Sequence, residues 1–133
     1  MPLDSFEVSA VLPATPESVY EAWLDGAQHA AFTGAAATGE ATVGVRFTAW
    51  DGYIEGSNVE LQPYARIVQR WRTAEFPAGA PDSTLVVVLE MEGTASTRIT
   101  LRHTDIPAGQ GESYRQGWLD HYFEPMRRHF SGE

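Results

Sequence analysis

The segment from about Ser113 to Phe130 constrains this fold more than any other stretch of the chain. At about 100° per residue, Tyr114, Trp118, Leu119, Tyr122, Phe123, Met126 and Phe130 fall in one half of a helical wheel. Gln116, Asp120, His121, Glu124, Arg127 and Arg128 fill the other half. A helix with so broad an aromatic face gains its stability by burying that face against another element. Pro125 lies inside the pattern and predicts a kink, because it lacks the N–H that continues the helical ladder.

The partner for that face lies upstream. From Phe6 to Leu12 apolar and polar residues alternate, which predicts a half-buried strand. Thr15, Pro16 and Glu17 then open a helix that carries Val19, Tyr20 and Trp23 on one face. Asp25 and Gly26 stop it, and AQHAAF predicts a short second helix. The stretch Gly34 to Gly44 reads as a loop with a short strand. After it, Val43, Val45 and Phe47 alternate, and Asp51-Gly52 signals a hairpin. The next strand runs from about Tyr53 to Gln62, where Gly56 suggests a bulge. Pro63 to Ala65 turns the chain. Ile67, Gln69 and Trp71 then share a face, as do Leu85, Val87, Leu89 and Met91, and finally Ile99, Leu101 and His103. Short turns between consecutive strands give an antiparallel meander with one face to bury. The predicted fold is an α+β domain over residues 1–133: a strand, two short helices, a run of about six strands, and one long covering helix.

Composition limits what such a domain could do. At 133 residues it can bury roughly two thirds of its unfolded surface without staples. It has no cysteine, which excludes disulfides, thiolate metal sites and cysteine nucleophiles. The formal charge of −9, with arginine as the only basic side chain besides histidine, disfavours nucleic acid and anionic membranes. No apolar run reaches the roughly 20 residues of a membrane span, and the first ten residues lack the basic and apolar regions of a signal peptide. Cytoplasm is the expected location.

Four motifs in order carry a resemblance: AFTG (31–34), DGYIEG (51–56), IVQRWR (67–72) and QGWLDHYFEPMRRHF (116–130). With the order of elements they make the chain similar to the START-like, helix-grip (SRPBCC) superfamily. Within it the chain resembles the C-terminal domain of the activator of heat-shock protein 90 ATPase and its stand-alone bacterial homologues. The resemblance implies a curved sheet of about seven strands gripped by the C-terminal helix, with an internal cavity between them. It also implies a chaperone as a partner. Full-length activators carry a further N-terminal domain that engages the chaperone, for which these residues leave no room. Relatives in the superfamily bind lipids, plant hormones or polyketides, and some catalyse cyclisation.

The expected site is therefore a cavity for a small hydrophobic molecule, in a monomer or weak dimer. Trp118, Tyr122 and Met126 would face Phe47 and Trp71 across it. The alternative use of the same residues is plain core packing. Gln69 and His103 sit on apolar strand faces, and Arg115 lies near the middle of the helix's apolar arc. Each could orient a ligand. Equally, Gln69 could bond the backbone, His103 could end a strand in solvent, and Arg115 could snorkel to water. His121 and Glu124 are three apart on the polar face but lack a third ligand, so no metal is expected. No cofactor or catalytic signature is present. A pocket acid–base role for Tyr122 or His103 is the remaining enzymatic reading.

Overall fold

The computed structural model describes residues 2–132. Strand β1 (Asp4–Leu12) is followed by α1 (Pro16–Leu24) and α2 (Gly26–Thr33). Strands β2 (Arg46–Ala49), β3 (Ile54–Gln62), β4 (Arg66–Thr73), β5 (Ser83–Glu92) and β6 (Ser96–Ile106) follow. The chain ends in α3 (Gly111–Trp118), a wide π-helical turn at Leu119–Phe123, and α4 (Glu124–Ser131). All pairings are antiparallel, in the order β1-β6-β5-β4-β3-β2. The sheet therefore has six strands, fewer than the resemblance implies. The segment from Gly34 to Gly44 adds only a bridge between Thr38 and Thr48.

The first and second strands occupy opposite edges, and the two short helices carry the chain between them. Thr15 caps α1 by accepting from the Ser18 N–H at 3.3 Å. Asp25 serves both helices. Its N–H bonds the Glu21 carbonyl to close α1, and its carboxylate accepts from the Gln28 N–H at 2.9 Å to open α2. The residue therefore breaks the helix axis without leaving a gap in the hydrogen bonding.

Alternation in the strands builds one buried layer. Leu12, Ile67, Leu85, Val87, Ile99 and Leu101 are fully enclosed between the sheet and the helices. Met91, predicted to share that face, is 58% exposed, because it lies at the hairpin end of β5, where the chain turns at 93–95. The bulge predicted at Gly56 lies further along β3, between Asn58 and Glu60. Gly56 meets a different need. A Cβ there would stand 1.8 Å from the Arg70 carbonyl oxygen and 2.7 Å from the Phe47 ring. Gly56→Ala is thus expected to force β3 and β4 apart and cost at least about 2 kcal/mol, at the upper end of overpacking effects. A urea midpoint equal to wild type would contradict this account.

The irregularity predicted at Pro125 takes the form of the π turn just before it. Pro125 offers no N–H to the preceding turn, and the Glu124 N–H reaches back five residues to the Leu119 carbonyl. No helix among the described residues is long and apolar enough to cross a membrane.

Candidate functional site

Three buried hydrogen-bonded chains lie between sheet and helix. In the first, the indole N–H of Trp118 donates to His103 Nδ1 at 3.1 Å. An indole nitrogen can only donate, so Nδ1 is the unprotonated nitrogen and Nε2 carries the proton. Nε2 then donates to Ser83 Oγ at 2.8 Å, and the hydroxyl donates to the Trp71 carbonyl at 2.6 Å. The proton order is opposite to that of an activated serine, whose hydroxyl must donate to the imidazole. Burial holds His103 down at about 3. His103, for which the sequence left open a ligand-facing place or an exposed strand end, is fully enclosed.

In the second chain, His29 Nδ1 faces the Trp23 carbonyl at 2.9 Å and must donate to it. Its Nε2 accepts from the Tyr122 hydroxyl at 2.8 Å. Burial pushes His29 down to about 4, against the opposing pull of that carbonyl. Burial also raises Tyr122. In the third, Gln69 accepts from the Trp23 indole at 3.1 Å and donates to Asn58 Oδ1 at 2.9 Å. Asn58 Nδ2 in turn donates to the carbonyls of Glu40 and Thr42, tying that loop to the core. Among the described residues no buried side-chain nitrogen or oxygen is left without a partner. The polar groups on the apolar faces are thus occupied by one another.

The open space lies elsewhere. A half-open cleft of about 680 Å³ separates the helix from the β2–β3 turn. Trp71, Trp118 and Tyr122 line it, together with Trp50, Tyr53, Ile54 and Tyr114. Ser113, Gln116, Gly117, Asp120 and His121 complete the helical wall. Around Phe47 and Gln69 the expected internal cavity is closed to a void of about 10 Å³, because the Trp23, Trp118 and Tyr122 rings pack into it. Met126 and His103 are sealed in the core and line neither space. Arg115 is not on the buried arc. Its side chain is 43% exposed and pairs with Glu112 at 3.5 Å. Glu124 pairs with Arg127 and Arg128, and no metal-binding cluster occurs among the described residues.

Trp50 and Tyr53 were not picked out as site residues in the sequence, where they flank the Asp51-Gly52 hairpin signal and Tyr53 opens the following strand. Trp50 takes a left-handed φ of 53° in that turn, and its ring meets His121 edge-on at 5.7 Å. The Tyr53 hydroxyl donates to Glu75, and Tyr53 rises to about 12, through burial first and that carboxylate second. Tyr114 bonds Thr73 and Gln110, each at 2.7 Å.

An open antiparallel sheet wrapped on a C-terminal helix, with a cleft where the helix face parts from the sheet, defines a helix-grip domain. The solved structures agree. An HSP90 activator from Plasmodium falciparum superposes with a TM-score of 0.85 at 24% identity, over 96% of each chain. The Aha1 dimer from Colwellia psychrerythraea gives 0.76 at 13% identity, over 94% of this chain and 95% of that one. The family model described as Activator of Hsp90 ATPase homolog 1-like protein matches residues 13–131, and the chain belongs to that family. The human Activator of 90 kDa heat shock protein ATPase homolog 1 is 33% identical over 116 residues, covering 87% of this chain and 34% of the relative. The chain spans about a third of the length of the curated relatives it matches.

Proposed function

We propose that this domain is a non-enzymatic binding module that takes a small hydrophobic molecule into the cleft. The observation that carries the reading is the cleft itself. Its volume of about 680 Å³ lies within the roughly 300–1,000 Å³ typical of ligand pockets, and its walls are mainly aromatic. Gly117 provides the test. A Cβ at this helical position would meet nothing within 4 Å. Gly117→Ala should therefore stabilise the protein by about 0.5–1 kcal/mol through helix propensity alone. Gly117→Phe should fold equally well, fill the cleft, and abolish binding of an apolar fluorescent dye. Unchanged dye binding in Gly117→Phe would remove the cleft from the reading. Native mass spectrometry of protein from its own host would then identify what travels with it.

A second reading has a separate basis in the family. Relatives carry names that describe activators of the 90 kDa heat-shock protein ATPase. On this reading the domain engages that chaperone in the cytoplasm, as a monomer or as a weak dimer like the Colwellia relative. The formal charge of −9 would steer it to a basic surface. The measurement is the chaperone's ATPase rate with and without the domain, paired with capture from the source cell. No change in rate and no captured chaperone would discard this reading.

A further inference from the structure

The cleft's charge is as informative as its volume. None of its lining residues is an arginine, and the chain contains no lysine. Its only carboxylate is Asp120, which is exposed on the helical wall and accepts from Gln116 at 3.1 Å. Glu75, held by the Tyr53 hydroxyl, adds a second carboxylate next to the opposite wall. Around these stand the rings of Trp50, Trp71, Tyr114, Trp118 and Tyr122. Aromatic faces carry negative potential and attract cations, most strongly where water is partly excluded. The arginines that might reverse the sign are engaged elsewhere. Arg72 is paired with Asp82 at 2.9 Å, and Arg115 and Arg127 with Glu112 and Glu124. A concave, aromatic, low-dielectric surface in a molecule of charge −9 focuses a negative potential into its interior.

We propose that the ligand of this cleft is an organic cation with an apolar or aromatic body. The cationic centre would sit among the rings near Asp120, and the body would lie along Trp71 and Trp118. The proposal rests on the reading of the cleft as a ligand site and adds the sign of the ligand's charge. It disfavours fatty acids and other amphiphilic anions, which would meet Asp120 with no arginine or lysine in the wall to offset it.

Three probes of nearly equal shape test it: N-methylacridinium, neutral methylanthracene and anthracenecarboxylate. Fluorescence titration of the intact protein at low ionic strength should show the cation binding about tenfold tighter than the neutral probe, as expected for a partly desolvated cation–π site. The anion should bind weakest. Asp120→Asn should reduce the cation's advantage about threefold without changing the neutral probe's affinity, the size expected of one nearby screened charge. Gly117→Phe should abolish binding of both. Equal affinity for cation and neutral probe would overturn the charge assignment while leaving the apolar site standing. Failure of all three to bind would overturn the site itself. Cation binding that survives Gly117→Phe would mean adsorption to the acidic surface, and would also overturn the proposal.

Discussion

Trp118→Ala is expected to lower stability by about 3–5 kcal/mol, the range for deleting a large buried aromatic. Two effects compete at this residue. The ring borders the cleft, so some of its surface faces a void and contributes less packing. Yet Trp118 is only 3% exposed and meets Trp23, Trp71, His103 and Tyr122 at ring separations of 4.7 to 5.9 Å. Its loss also strips His103 Nδ1 of its donor in a buried site, a further cost of about 1–3 kcal/mol. Packing wins. Trp118→Phe, which keeps a smaller ring and removes the N–H, should cost about 1–3 kcal/mol, less than the alanine variant, from the lost hydrogen bond and a smaller cavity together. Urea melts of both variants decide it. A loss below about 2 kcal/mol for the alanine variant would assign most of the ring to the cleft.

The second large effect is acid unfolding. His29 and His103 are neutral in the folded protein down to about 4 and about 3, whereas in the unfolded chain each takes up a proton near 6.5. Between those values the unfolded state binds more protons than the native state, so stability falls as pH falls. Above 6.5 the stability these rings support is fully present. Below it, the loss grows to roughly 3 kcal/mol at His29 and 5 at His103, at about 1.4 kcal/mol per pH unit for each ring. The steep part lies between pH 6 and 5, above the usual carboxylate range. Urea melts at pH 7.5, 6 and 5 measure it. His29→Gln keeps a donor for the Trp23 carbonyl and an acceptor for Tyr122, so it should halve the slope. A flat stability profile between pH 7 and 5 would mean that both rings accept protons without unfolding.

Local pattern carried most of the fold into view. Ile67, Gln69 and Trp71 alternate with Val68, Arg70 and Arg72, and the first set is buried as period two requires. The helical stripe likewise placed Tyr114, Trp118, Tyr122, Phe123 and Met126 inside. Partnerships between distant residues were not legible. Trp23 and Gln69 are 46 positions apart, and His29 and Tyr122 are 93 apart. No window of sequence contains both members. The polar residues on apolar faces were visible, but their partners were not, so a core network and a ligand site looked alike. Arg115 shows the limit of the wheel from the other side. A wheel puts it on the apolar arc, but it lies in the last turn of a short α-helix and reaches out to Glu112. Trp50 escaped because a hairpin signal says where a chain turns, and not where a side chain inside the turn will point.

The wide turn at Leu119–Phe123 has a bearing on how this helix tolerates insertions and deletions. Tyr114, Trp118, Tyr122, Met126 and Phe130 recur every four residues. In an unbroken α-helix that repeat would drift about 40° per step and spread the stripe over about 160°. A π turn holds one surplus residue out of phase and brings the flanking turns back into alignment. Deleting either Asp120 or His121 would leave spacings of four, three, four and four, which fit one narrow face of a continuous α-helix. Trp118 and Met126 would still meet the sheet, and the core would not register the missing residue. The cleft would, because Asp120 and His121 both line its wall. A one-residue gap at this point in a related sequence therefore marks a change of cleft within an unchanged fold.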